Sequence, residues 1–304
     1  MNTIDRRHFI RQSVYAGVII SAQNGIRRVL ADETSVPDVV TVKNGDPAQL
    51  VRSAVEGLGG MSRFVKNGQN VLLKPNIGWA SLPQQAADTN PEAVAEVVKM
   101  CLEAGAKKVR VLDNTTNPAR RCYKMSGIEE AANNAGAEVR HIVPARFTEV
   151  KIPQGELVRS WPFYRDALEF DVLINMPVAK HHTMSGLTLG FKNVMGLIGG
   201  ERGDIHTDFM TKIVDLNMAV EPALTIIDAF RIMVRNGPSG GNLADVEERK
   251  TVIAGVDRVA VDVSAAGLFD IDVSELTYLK IAHERGLGQI DLNAVNVRHL
   301  DLSS

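Results

Sequence analysis

The chain has 304 residues, 45% of them apolar and 23% charged, which is typical of a globular protein with a substantial hydrophobic core. The formal net charge of −2, with no long block of like charge, argues against a nucleic-acid partner and against a disordered tail. The two cysteines, Cys101 and Cys122, are too few for a four-cysteine zinc or iron–sulfur site, so no iron–sulfur cluster of its own is expected. Cys101 lies in an apolar helical run, as a buried core thiol does, and a disulfide between the two cysteines stays open.

The chain begins with the pattern of a twin-arginine signal peptide, predicted over residues 1–31. Arg6 and Arg7 are followed by a polar residue, then by the apolar pair Phe9 and Ile10, and later by a modestly apolar stretch, residues 13–22. That stretch is shorter than the about 20 residues that a membrane span needs, and Ala31 offers a small residue for cleavage. We expect a periplasmic protein that the twin-arginine machinery exports already folded, with no membrane span in the mature chain. An ordinary amphipathic N-terminal helix is the alternative.

The rest of the chain alternates between strand and helix patterns. Apolar spacing and turn residues predict, in chain order, a helix over 46–58, a strand over 70–75, a helix over 91–104, a strand over 108–112, a helix over 125–135, strands over 138–143 and 170–177, a helix over 211–218, strands over 223–227 and 251–256, and a helix over 260–269. Asn90 is the expected N-cap of the second helix, with Pro91 at its first position. The longest predicted loops are residues 82–87 and 236–241.

This alternation predicts an α/β fold with a largely parallel sheet and helices on both faces. Residues 35–304 are expected to form a single α/β domain, and the length leaves open whether it has one lobe or two.

Polar residues follow the predicted strands. In open parallel sheets, ligands bind beyond the carboxyl ends of the strands. Lys74 and Asn76 stand at the end of one strand, and Asp113 stands at the end of the next. Each of them alone is equally well explained as a turn cap or a solvated side chain.

The segment over residues 180–208 concentrates groups that carry chemistry. Its candidates for a site are His182, Thr188, Lys192, Gly199, Gly200 and His206. Histidines act as acids, bases or metal ligands near neutral pH, and a lysine binds an anion or links covalently to a carbonyl group. Glycines let backbone N–H groups converge on an anion. A polar surface loop is the alternative, and the histidine spacing matches no zinc-protease pattern.

Short stretches and single residues scattered along the chain form a specific combination. They are Leu73-Lys74-Pro75-Asn76, Thr89-Asn90-Pro91, Glu103-Ala104-Gly105-Ala106, His182, Thr188, Lys192-Asn193, His206 and Asp257-Arg258-Val259-Ala260-Val261-Asp262. The combination resembles domain-of-unknown-function family 362 over roughly residues 40–275, a family with no general assigned activity. Many of its members carry ferredoxin-like cysteine clusters. This chain does not, so the resemblance implies that an electron-transfer role would need a redox partner.

A more distant likeness concerns the spacing of His182, Gly186, Thr188, Lys192 and Gly196. This spacing is similar to the core of the nickel-pincer lactate racemase family. The resemblance implies that Lys192 would tether a pyridinium-derived nickel cofactor and that His182 would be an acid/base group.

In the same resemblance His206 would coordinate the nickel. The racemases place a further catalytic histidine in a Gly-Thr-His turn after an earlier strand, where this chain has Asp113-Asn114-Thr115-Thr116. Either Asp113 replaces that base, or the chemistry differs.

Two functions follow from these patterns. The first is an exported enzyme that acts on a small, polar, anionic hydroxy-substrate by proton or hydride transfer, with a metal-containing cofactor as one version. The second is a non-catalytic extracytoplasmic module that binds a ligand, a metal or a redox partner. The first requires the side chains of Lys74, Asp113, His182, Lys192 and His206 to converge on one cleft.

Overall fold

A mostly parallel β-sheet is the centre of the computed structural model, which describes residues 36–269 and 271–303. The predicted signal peptide over residues 1–31 lies outside the described residues. The strands are β1 (Val39–Lys43), β2 (Asn70–Pro75), β3 (Lys108–Val111), β4 (Glu138–Val139), β5 (Phe147–Lys151), β6 (Ser160–Tyr164), β7 (Val172–Met176), β8 (Val178–His182), β9 (Gly186–Thr188), β10 (Leu224–Met233), β11 (Val246–Gly255) and β12 (Val297–Asp301).

The helices connect these strands and cover them. They are α1 (Pro47–Gly57), α2 (Pro91–Glu103), α3 (Ala119–Met125), α4 (Ile128–Asn134), α5 (Asp166–Glu169), α6 (Gly190–Asn193), α7 (Phe209–Asn217), α8 (Arg258–Ala266) and α9 (Thr277–Glu284). As predicted, Asn90 caps α2 by accepting a hydrogen bond from the N–H of Glu92, and Pro91 stands at the first helical position.

The main sheet has the strand order β12-β1-β11-β10-β7-β2-β3-β4, and β8 pairs with β10 and β9. The run from β10 through β7, β2 and β3 to β4 is parallel, so the carboxyl ends of β2, β3 and β7 lie on the same edge. Among the described residues of this sheet, the antiparallel pairs are β1–β11, β10–β11 and the β8–β9 hairpin. A separate hairpin joins β5 and β6.

Two hydrophobic layers lie on opposite faces of the sheet. On β2, Leu72 packs into one layer, whereas Val71 and Leu73 pack into the other, because successive strand residues point to opposite faces. Helices α1 to α4 cover the layer of Val71, and α6 to α9 cover the layer of Leu72. The predicted α/β class, with helices on both faces, is confirmed.

Several element boundaries differ from the prediction. The helix expected over 125–135 begins only at Ile128, because Gly127 adopts a left-handed φ of 72° between α3 and α4. The strand expected over 138–143 is limited to Glu138–Val139. Strands β1 and β12, helix α9 and the hairpins β5–β6 and β8–β9 were not predicted.

The described residues, 36–269 and 271–303, form one compact unit. Cys101 and Cys122 are both buried and unpaired, so the disulfide that the sequence left open is not formed in this structure. Among the described residues, no helix has both the length and the apolar character that crossing a membrane requires.

Candidate active site

A cavity of about 440 Å³ opens beyond the carboxyl ends of β2 and β3. The β8–β9 hairpin and the segment from α6 to residue 206 form its other walls. Most of the residues singled out from the sequence line it: Lys74, Asn76, Asp113, His182, Thr188, Lys192 and His206. The sheet topology therefore brings these side chains together.

Lys74 and Asp113 form a buried ion pair at one side of the cavity. The distance between Lys74 Nζ and Asp113 Oδ1 is 2.8 Å, and the two side chains are 1% and 3% exposed. Lys74 Nζ also donates to Asn193 Oδ1 at 2.9 Å, and the N–H of Ile77 donates to Asp113 Oδ2 at 2.6 Å. Burial lowers the pKa of Lys74, and the Asp113 carboxylate opposes that effect. Both oxygens of Asp113 are thus engaged, which argues against this residue as the base that replaces a histidine.

His182 lies at the end of β8, and its ring is held by the backbone of the hairpin. The N–H of Met184 donates to His182 Nδ1 at 3.1 Å. Burial, followed by the charges of Lys192 and Lys180, lowers the pKa of His182 to about 3. The imidazole is therefore neutral, and because Nδ1 accepts a hydrogen bond, its hydrogen is on Nε2.

Lys192 projects from α6 into the cavity. Its Nζ lies 4.4 Å from the centroid of the Phe209 ring. Burial, and then the charge of Lys180, lowers the pKa of Lys192 to about 7. An amine with that pKa is uncharged in about half of the molecules at neutral pH, and an uncharged amine is a base and a nucleophile.

Two buried side chains fix the position of α6. The carboxylate of Asp262 in α8 accepts hydrogen bonds from the N–H groups of Gly190 at 2.7 Å and of Phe191 at 3.1 Å. The amide of Asn193 donates to the carbonyl oxygen of Lys74 at 3.1 Å and to Asn175 Oδ1 at 2.8 Å. These contacts tie the turn that carries Lys192 to α8 on one side and to β2 and β7 on the other.

His206 stacks in the cavity between His182 and Phe209. Its ring centroid is 6.3 Å from that of His182 and 5.9 Å from that of Phe209. His206 Nδ1 lies 3.3 Å from the carbonyl oxygen of Gly203, which can only accept a hydrogen bond, so Nδ1 is the donor and Nε2 keeps a free lone pair. Burial, and then the charge of Lys192, lowers the pKa of His206.

Lys180 and Arg202 also line the cavity, and neither was among the predicted site residues. Arg202 donates to the carbonyl oxygens of Asn114 at 2.7 Å and Thr115 at 2.8 Å, and burial lowers its pKa. Lys180 is 1% exposed, and burial lowers its pKa to about 8. Lys74 and Asp113 neutralise each other, and the buried Asp88 partly offsets the charge of Lys180. Arg202 and the protonated fractions of Lys180 and Lys192 leave the cavity positive, which favours an anionic ligand.

Gly199 and Gly200, predicted to help bind a cofactor, lie outside the cavity lining. The N–H of Gly199 donates to the carbonyl oxygen of Pro162, and its own carbonyl oxygen accepts from the indole N–H of Trp161. A Cβ at Gly200 would lie 3.2 Å from Pro162. Both glycines pack against the β5–β6 hairpin, which was missing from the sequence prediction.

The family model of the domain of unknown function DUF362 matches residues 71–267. The chain belongs to this family. The matched region contains every predicted site residue, from Lys74 to His206, and the resemblance seen in the sequence is confirmed.

The individual proteins that are similar to this chain have low sequence identity to it. The thylakoid-associated protein of Synechocystis sp. is 28% identical over 245 residues, which covers 78% of this chain and 74% of that protein. Among solved structures, the lactate racemase apoprotein of Thermoanaerobacterium thermosaccharolyticum aligns with a TM-score of 0.44 and 13% identity over 78% of this chain. A structural-genomics protein of Thermotoga maritima aligns with a TM-score of 0.41 and 13% identity over 74% of this chain. The chain spans 57% and 59% of the lengths of these two structures.

Proposed function

We propose that the protein is an exported enzyme that transfers a proton at the hydroxyl-bearing carbon of a small anionic substrate, as a racemase or an epimerase does. The volume of about 440 Å³ accommodates a small molecule. The positive charge of Arg202, Lys180 and the protonated fraction of Lys192 attracts an anion.

The observation that carries the proposal is the amine of Lys192. It lies in the cavity with a pKa lowered to about 7, and no carboxylate contributes to that pKa. A lysine that only stabilised the fold would be expected to have a counter-ion or to reach solvent. An amine held close to neutrality beside a cationic binding site is suited to accept and return a proton.

The two neighbouring imidazoles have different roles in the proposed reaction. His206 Nε2, with its free lone pair, is a second acceptor for a proton. His182 Nε2–H is a donor that can polarise an oxygen of the substrate.

The same residues fit a metal-containing cofactor of the pincer type. Among the described residues, no group of three or more histidine, cysteine, aspartate or glutamate side chains could hold a metal ion by itself. A cofactor that supplies most of the metal ligands needs only the Lys192 amine as a covalent anchor and His206 Nε2 as a ligand, and both line one cavity. When bound, such a cofactor supplies an electron-pair acceptor for oxidation of the hydroxyl-bearing carbon, which is the hydride-transfer version of the proposal.

The location in the proposal is the periplasm, reached by the twin-arginine route. It depends on Arg6 and Arg7 in the sequence. Export in the folded state suits an enzyme whose cofactor is inserted in the cytoplasm. A redox partner outside the chain belongs to the hydride-transfer version alone.

A first experiment measures hydrogen exchange at carbon. Protein purified from its native organism is incubated in D₂O with single enantiomers of lactate, glycerate and malate, and deuterium at the hydroxyl-bearing carbon is followed by NMR. We expect exchange with at least one of them, and its loss in Lys192→Ala but not in Lys280→Ala, which removes an exposed lysine. Binding with neither exchange nor conversion to the other enantiomer would instead support the non-catalytic module, whereas conversion without exchange would support the hydride-transfer version. Metal and intact-mass analysis of the same sample decides between the cofactor-free and cofactor-bound versions.

A second experiment measures the ionisation of Lys192 directly. Labelling by a small amine-reactive reagent at a series of pH values, quantified by mass spectrometry, should follow the uncharged fraction. We expect the labelling of Lys192 to rise with a midpoint near pH 7 because its pKa is lowered to about 7, whereas exposed lysines have midpoints near about 10.4. A midpoint for Lys192 equal to that of Lys280 would contradict the proposed role of its amine.

A further inference from the structure

The β8–β9 hairpin presents three polar side chains to the cavity from one face. Lys180 stands directly opposite Thr188 in the antiparallel register, and His182 lies two residues beyond Lys180 on the same strand. Residues two apart on a strand, and residues opposite each other across a pair, point to the same face. All three line the cavity.

Each of these groups has a hydrogen-bond donor left over. Lys180 Nζ donates to the carbonyl oxygen of Ala87 and, at 3.4 Å, to Asn76 Oδ1, and an ammonium has three N–H bonds. His182 accepts a hydrogen bond from the backbone at Nδ1, so its Nε2–H is free to donate. Thr188 is 3% exposed, and its hydroxyl has no hydrogen-bond partner within the described residues.

A buried hydroxyl without a partner is rare in folded proteins, because losing its hydrogen bonds to water is costly. The partner that this site lacks must be an acceptor, since Lys180 offers only N–H groups and His182 has its lone pair occupied. Asp88 and Asp113 partly offset the charge of Lys180. The remaining N–H of this ammonium still favours an anionic acceptor over a neutral one. A carboxylate has two oxygens and several lone pairs, and it can receive all three donors.

We propose that Lys180, His182 and Thr188 form an oxyanion site that binds the carboxylate of the ligand. This inference rests on the proposed function for the size and charge of the ligand, a small hydroxy-carboxylate. It assigns His182 the role of a hydrogen-bond donor to the bound anion. The proton acceptors of the cavity are then Lys192 and His206.

The first test reads the state of His182 without any ligand. Two-bond ¹H–¹⁵N correlation spectra of ¹⁵N-histidine-labelled protein at pH 7 distinguish the two neutral tautomers, and His182→Gln identifies the resonance. We expect the Nε2-protonated tautomer. An Nδ1-protonated or doubly protonated ring would overturn the assignment, because the first could accept a proton at Nε2 and the second would clash with the N–H of Met184.

The second test measures the binding of glycolate by calorimetry. Thr188→Val removes the hydroxyl and keeps the shape, and we expect glycolate to bind about tenfold more weakly. Thr225→Val makes the same change at a buried threonine outside the cavity lining, and we expect it to leave the affinity unchanged. Equal affinities of the two variants would overturn the proposal.

The variant His182→Gln keeps a side-chain N–H donor but cannot act as a base at neutral pH. We expect it to bind glycolate within about threefold of the natural protein, whereas His182→Leu loses about tenfold. Equal losses in both would contradict the donor role. The enzymatic assay is separate from these measurements. Binding that depends on Thr188, with neither exchange nor conversion of the enantiomer, would support the oxyanion site and refute the enzymatic proposal.

Discussion

Gly196 lies where the backbone passes against the Lys74–Asp113 ion pair. A Cβ at this position would come within 1.7 Å of Asp113 Oδ1 and 2.5 Å of Lys74 Nζ. We expect Gly196→Ala to lower the free energy of unfolding by about 1–3 kcal/mol, because the buried pair must shift. Gly203→Ala is the control, since Gly203 also lines the cavity but a Cβ there would meet nothing within 4 Å. Urea unfolding of both variants measures the difference, and equal stabilities would contradict this account of Gly196.

Single residues were predictable where they follow a strong apolar strand. Lys74 and Asp113 were found in this way, because the ends of parallel strands mark the ligand edge of a sheet. Lys180 was placed after a strand expected to end at residue 177 and was given no role in the site, whereas it lies within β8, which runs from Val178 to His182. Arg202 carries no signal in the sequence pattern, since its position depends on contacts with the carbonyl oxygens of distant residues.

The contact between α6 and α8 is the element-scale feature that positions Lys192. Burial raises the pKa of Asp262 to about 7, against 3.8 as the ordinary value. A carboxyl group with a raised pKa holds its proton more tightly in the folded state than in the unfolded one. It therefore contributes stability that is fully present below pH 3.8 and is lost as the pH rises to about 7.

Replacement of Asp262 by asparagine removes this titration. We expect the natural protein to lose stability between about pH 4 and 7 by up to about 1.4 kcal/mol per pH unit more than Asp262→Asn does. Chemical denaturation at a series of pH values measures the two slopes. Glu130→Gln, which removes an exposed carboxylate of α4, should keep the natural slope. Parallel pH profiles for the natural protein and Asp262→Asn would rule out the titration of Asp262.

Elements with a strong apolar period were predicted, and elements built by tertiary pairing were not. Helices α1 and α2 are specified locally by their N-caps and apolar periodicity. Strand β2 is specified by its short, buried apolar run. The β8–β9 hairpin is short and polar, and β8 forms a strand because it pairs with β10. The hydrogen-bond donors Lys180, His182 and Thr188 lie on this hairpin. The local sequence pattern alone therefore does not reveal how these donors are arranged.

For the whole molecule, the net charge of the chain does not reflect the positive charge of the cavity. The chain carries a formal charge of −2, yet Lys180, Lys192 and Arg202 line the cavity together with an ion pair that is neutral overall. Acidic side chains elsewhere on the surface outweigh these cations in the sum. Composition therefore gives no indication of the anion site, which only the three-dimensional arrangement makes visible.

The proposed export of the protein rests on the signal peptide predicted over residues 1–31, and it can be tested apart from the cavity. The export machinery of this route reads the arginine pair itself, so a change that keeps the charge should still block it. We expect the double change Arg6→Lys and Arg7→Lys to leave the full-length chain in the cytoplasm, while the natural chain reaches the periplasm in a shortened form. Cell fractionation and intact-mass analysis measure both properties. The double change Arg27→Lys and Arg28→Lys alters a second arginine pair in the same segment and should not affect export. Export of both variants would show that the first pair is not read, and the N-terminal segment would then be interpreted as an amphipathic helix.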